Sequence, residues 1–109
     1  MIDFSLTDDH RDVQSLVHEF CLREVAPTIR ERDRAQQSDP TLIPKMAQAD
    51  ILGLCLPAEY GGAGMDYVAL GLACEETEYV DTSVRVILSV HVGLVSLTIL
   101  TWGTDPLCQ

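Results

Sequence analysis

Val13, Leu16, Val17 and Phe20 recur at three- and four-residue spacing, so a helix over residues 8–36 gathers them on one face. Thr7 suits its N-cap, and Asp8 and Asp9 bring negative charge to the end where the helix dipole favours it. Pro27 lacks an amide and crowds the preceding turn, which predicts a kink or pause there. Beyond it, Arg30-Glu31-Arg32-Asp33-Arg34 alternates in sign without apolar positions, the pattern of a solvated helix end. Ser38-Asp39-Pro40 is a turn. A short second helix is expected over 42–51, with Pro44 at its first position and a stop near Gly53. Asp66 suits the N-cap of a third helix, 67–80, and Asp81 or Thr82 that of a fourth, 83–102, ending near Gly103. Strand signals are nearly absent. The expected fold is an all-α domain over residues 1–109, about four helices with one glycine-rich connector.

Two positions break the simple pattern. Val86 to Trp102 holds no Asp, Glu, Lys or Arg and is apolar on every side. It also carries Ser89, His91, Gly93, Ser96, Thr98 and Thr101, and it is shorter than the roughly 20 apolar residues of a membrane span. A central packed helix is therefore expected, with no membrane span. A domain this small cannot cover all sides of it, which implies further protein against it, either another domain or another subunit. On the third helix, Ala69, Leu72, Ala73 and Val80 define an apolar stripe with Glu76 in its middle. A carboxylate there needs a partner, expected to be an arginine or backbone amides; a general base is the sharper alternative.

Composition narrows the function. Seventeen acidic against seven basic residues give a net charge of −10, which repels phosphate and excludes nucleic acid as a partner. The N-terminus opens with acidic residues instead of a basic and apolar leader, so no secretory signal is expected and the location is cytoplasmic. Cys21, Cys55, Cys74 and Cys108 form no Cys-x-x-Cys pair, and His10, His18 and His91 are scattered, so no metal site is expected and the thiols are free. The cluster Gly61-Gly62-Ala63-Gly64 has no following Gly-Lys-Ser/Thr and no preceding strand, which favours a connector over a phosphate cradle.

Several segments together resemble a known family. LCLPAEYGGAG (Leu54 to Gly64) is followed by Glu75-Glu76, Asp81-x-Ser83, Ser89-Val90-His91 and Trp102-Gly103-Thr104. Upstream stand Phe4-Ser-Leu-Thr-Asp8 and Val25-Ala26-Pro27. In order and spacing these are similar to the N-terminal helical domain of the acyl-CoA dehydrogenases, over residues 3–105. The resemblance implies a flavoprotein that takes the α-proton of an acyl-CoA thioester with a glutamate and passes the β-hydride to FAD. It also implies a central β-domain, a C-terminal helical domain and, usually, a tetramer. In most members the catalytic glutamate and the main flavin contacts lie outside the N-terminal domain. No catalytic and no cofactor-binding residue is therefore assigned here, Glu76 included.

What the N-terminal domain implies is one wall of the acyl pocket, which falls on Ser89, Val90, His91 and Leu94. The family usually continues after Gly103-Thr104 with a charged segment. Here Asp105 to Gln109 follows instead, so the domain is expected to be truncated at its C-terminal end, and inactive alone. Two other readings stay open: a non-enzymatic helical interaction module that uses its last helix, and a related flavoenzyme such as an acyl-CoA oxidase. Acyl-chain length is not legible in such small residues.

Overall fold

Thr7 accepts the His10 amide in its side chain while its own amide donates to the His10 ring, and this reciprocal cap starts helix α1 (Asp8–Phe20). The computed structural model describes residues 1–109, and all its regular elements are helical. The break expected at Pro27 is present and is spread over two turns. Cys21–Val25 widens into a π-helical turn, Ala26–Thr28 tightens into a 3-10 turn, and α2 (Ile29–Ala35) then resumes the helix. Proline's missing amide and its clash with the turn before it account for both adjustments.

The second helix, α3 (Leu42–Gln48), is shorter than expected. Pro44 sits within its first turn, because Asp39 holds the amide and hydroxyl of Thr41 and lets the helix begin at Leu42. It ends before Gly53: Asp50 turns left-handed at φ +59°, and the Ile51 amide reaches back to the Met46 carbonyl. Asp66 caps α4 (Tyr67–Val80) and Asp81 caps α5 (Thr82–Ser89), through the amides of Ala69 and Ser83. The helix runs on through a π-helical segment, Val90–Ser96, into α6 (Leu97–Trp102). A short α7 (Asp105–Cys108) follows, which the hydrophobic pattern did not suggest.

α1 and α4 run side by side in the same direction, since His10 meets Asp66 at their starts and His18 meets Glu76 further along. Val17, Phe20, Cys21 and Val25 of the first helix pack with Met46, Ile51, Ala69 and Ala73, and with Val84, Leu88 and Val92 of the last. The molecule is a slab of 41 × 39 × 20 Å, about two helix diameters thick. Its radius of gyration, 14.7 Å, exceeds the about 13 Å of a compact chain of this length. Only 18 of 109 residues are buried, so the core is thin and one side of it stands open.

The core also carries a pH signature. Cys21 is fully buried, and burial first, then the charges of Glu76 and Asp81, push its thiol from the ordinary 9.0 up to about 11. A raised value means that the stabilisation is complete below pH 9.0 and is lost as pH rises through about 11. Alkaline unfolding followed by circular dichroism should therefore be steeper in this window for the native chain than for Cys21→Ala, by on the order of 1–3 kcal/mol in total.

Candidate functional site

The rod α5–π–α6 presents the apolar face that the sequence singled out. Val84, Leu88 and Val92 form the row that faces the core. Val86, Val90, Leu94, Val95, Ile99 and Trp102 are exposed, Leu94 by 67% and Trp102 by 83%. The helix therefore serves as a core helix along one row, and its other sides stay uncovered, as expected of a domain this small. Thr82–Trp102 is long and apolar enough to cross a membrane by length and composition.

Each residue expected at the pocket wall lies on this rod. Val90 and Leu94 sit one turn apart on the exposed side, and His91 is exposed beside them. Ser89 is half-buried at the flank, where its hydroxyl accepts from the Arg85 guanidinium and donates to the Val86 carbonyl. The π-helical segment begins at Val90. Within it Ser96 turns its hydroxyl onto the His91 carbonyl at 2.7 Å, and Thr98 does the same to Leu94 one turn on. Such back-bonding loosens the helical ladder, and Gly93 in the middle offers no side chain to resist the wider turn. Val86, Val95, Ile99 and Trp102 extend the face beyond the residues read from sequence. The uncharged run itself was the signal for them.

One buried ion pair holds the rod. Arg32 donates to Asp81 at 3.0 Å, to the Thr28 hydroxyl, and to the Val25 carbonyl at the helix break. Asp81 uses its other oxygen to cap α5. Both side chains are nearly out of solvent, 14% and 10% exposed. The alternating run Arg30 to Arg34 is thus not wholly a solvated helix end; its middle arginine is a strut. Only the fold brings Asp81 to it, and no local spacing signals the pair.

Glu76 proves to be a paired carboxylate with a partner that was not anticipated. The buried row of α4 is Ala69, Ala73 and Thr77, and Glu76 lies beside it with its side chain 16% exposed. His18 of α1 meets it at 2.8 Å, where an arginine or backbone amides had been expected. Glu76→Ala should lower stability by about 1–2 kcal/mol, read from urea unfolding, because it strips His18 of its bond across the helix pair.

The glycine cluster is a sealed connector. Gly62 donates to Pro57, Ala63 to Gly53, Gly64 to Leu56 and Met65 to Leu54, so four consecutive amides are engaged by backbone carbonyls. None of them is turned toward an anion, in agreement with the reading of a connector over a phosphate cradle.

Comparison with known proteins adds a lineage to this geometry. The family model described as "Acyl-CoA dehydrogenase, N-terminal domain" matches residues 7–109. The short-chain specific acyl-CoA dehydrogenase of Clostridium acetobutylicum is 36% identical over 104 residues, 95% of this chain and 27% of that protein. The solved butyryl-CoA dehydrogenase of Megasphaera elsdenii superposes with a TM-score of 0.93 at 34% identity, covering 98% of this chain and 29% of that one. A chain from the structural study of the electron transferring flavoprotein of Acidaminococcus fermentans superposes with a TM-score of 0.96 at 40% identity, over 99% of this chain and 28% of that one. The chain thus spans little more than a quarter of the length of the relatives it matches.

Proposed function

The chain belongs to the acyl-CoA dehydrogenase family, as its N-terminal helical domain, and from that premise we propose that it supplies one wall of an acyl-thioester pocket in a flavin-dependent α,β-dehydrogenation. The observation that carries this reading is the uncharged exposed face of the last long helix. Ser89, Val90, His91 and Leu94 stand on or beside it at a π-helical widening. Small and apolar side chains there suit contact with a fatty chain, which needs area and shape, not charge. The same face, with Val95, Ile99 and Trp102, is the surface on which the family's central and C-terminal domains are proposed to close.

The chain's own residues do not fit flavin. The family's FAD supplies the hydride acceptor, yet here the loop amides that could have met a diphosphate are spent on backbone carbonyls. The net charge of −10 opposes the phosphates of FAD and of CoA alike. Dehydrogenation needs a base at the α-carbon and a flavin ring at the β-carbon, about 3–3.5 Å from reaction. Glu76 is engaged by His18 across the α1–α4 pair, away from the exposed face of the last helix, which supports a structural role for it.

The test is direct. The 109-residue chain, mixed with FAD and acyl-CoAs of several lengths, should retain no flavin through gel filtration and reduce no electron acceptor. In nitrogen-15 spectra, butyryl-CoA should shift the amides from Ser89 to Leu94 while CoA alone leaves them in place. Stoichiometric flavin retention, or turnover abolished by Glu76→Gln, would make the short chain an enzyme itself. Shifts confined to other helices would move the wall elsewhere.

A further inference from the structure

His10 joins two helix starts outside the proposed pocket, with both ring nitrogens engaged. It is buried, 8% exposed, at the start of α1. Its Nδ1 faces the Thr7 backbone amide at 3.2 Å, and an amide can only donate, so this nitrogen is an acceptor. Its Nε2 lies 2.8 and 3.0 Å from the two oxygens of Asp66, which can only accept when ionised, so that nitrogen carries the proton. The contacts therefore assign the neutral Nε2–H tautomer. Asp66 is itself fixed, because it caps α4 by accepting the Ala69 amide. That amide first, and then His10, hold its carboxyl below the usual carboxylate range, so it stays ionised while a histidine titrates.

We infer that His10 is a proton-operated latch on the N-terminal segment, residues 1–7. A second proton can enter the ring only at Nδ1. It would set an N–H against the Thr7 N–H, donor against donor, and that half of the capping box opens. The other half of the ring behaves oppositely: Nε2–H keeps Asp66 and gains a full charge opposite the carboxylate. Protonation thus trades the ring's bond to the Thr7 amide for a stronger tie to α4, while the Thr7 hydroxyl and carbonyl keep the amides of His10 and Arg11. The charged neighbours along α1 are Asp8, Asp9, Arg11 and Asp12, with Arg11 paired to Asp8. From the α4 side the facing charge is Asp66, whose carbonyl holds the Cys55 thiol, itself kept protonated by burial. No cation competes with His10 for Asp66. Ahead of the latch, Met1, Ile2 and Phe4 are exposed, so the segment before Thr7 has little apolar packing of its own and the Thr7 amide is the bond that ties its end to the ring.

The experiment is nuclear magnetic resonance on the 109-residue chain between about pH 8 and pH 5, the range histidine serves as a switch. Ring nitrogen shifts at the upper end should report the Nε2–H tautomer. As the His10 ring signal titrates, exchange of the Thr7 amide should quicken about tenfold after correction for its intrinsic pH dependence, the loss of one hydrogen bond. The Ala69 amide should stay protected. His10→Gln keeps an acceptor for Thr7 and a donor for Asp66, so its Thr7 amide should show no such step. An Nδ1–H tautomer, a Thr7 amide indifferent to His10 titration, or the same step in His10→Gln would each overturn the latch. Should the variant not fold, the tautomer and the Thr7 step in the native chain decide alone.

Discussion

Asp81→Ala is expected to cost about 3–5 kcal/mol, the penalty for removing one member of a buried ion pair, and to lower the thermal midpoint by more than about 10 °C. Three roles fall together at this residue. Its carboxylate is the charge opposite Arg32 at 3.0 Å, the cap on the first turn of α5, and the corner where extended backbone joins α4 to α5. Removal leaves the Arg32 guanidinium buried with only the Thr28 hydroxyl and the Val25 carbonyl, neither of which carries charge. Asp81→Asn separates the roles. The amide oxygen still caps Ser83, so the helix start survives while the charge is lost, and the cost should fall between the native chain and Asp81→Ala. Arg32→Met should lose nearly as much as Asp81→Ala. The double replacement Arg32→Met with Asp81→Asn should recover part of the loss, since no charge is then stranded. Equal stability of native chain and Asp81→Ala in urea unfolding would show that the rod is held by its apolar row alone.

The distribution of what was legible follows from how local each cause is. Caps are local: Thr7, Asp66 and Asp81 each act on amides two or three residues away, and all three start helices where the pattern suggested. Pro27 is local too, and its effect stays within two turns. The end of α3 was misplaced because the left-handed residue is Asp50, and glycine at position 53 carried the stronger stop signal. Asp and Asn adopt that conformation at small cost, so a rule weighted to glycine overshoots by a turn.

Long-range pairing was not legible. Glu76 was recognised as a carboxylate in need of a partner, but His18 stands 58 positions away on a parallel helix, and only packing brings it near. The same is true of Arg32 and Asp81, 49 positions apart. The candidate pocket face was legible for the opposite reason. A run of seventeen residues without a charge, Val86 to Trp102, needs no partner to be noticed. A slab only 20 Å thick cannot wrap it on all sides, so part of it must face either solvent or more protein. The demand for cover and the family's longer relatives agree on that point.

Gly62→Ala is expected to cost about 3 kcal/mol, the upper part of the range for forcing extra volume into packed structure. A Cβ on Gly62 would stand 2.1 Å from the Leu56 carbonyl oxygen and 2.6 Å from the Leu56 Cβ. The oxygen belongs to backbone that accepts the Gly64 amide, so it cannot swing aside without breaking the connector. The connector must then open between residues 53 and 65, releasing the Ala63–Gly53 and Met65–Leu54 bonds and loosening the buried side chains of Leu54 and Cys55. Gly93→Ala is the matched control: a Cβ there meets nothing within 4 Å, and alanine in a helix gains about 0.5–1 kcal/mol over glycine. The isolated domain should thus be destabilised by the first change and unharmed by the second, in paired urea unfolding. The functional consequence runs the other way. A methyl at Gly93 lies in the π-helical widening between Val90 and Leu94, so it should weaken the butyryl-CoA shifts there while Gly62→Ala, where folded, leaves them intact. An unchanged unfolding midpoint for Gly62→Ala would mean that the connector yields more easily than its closed hydrogen bonds indicate.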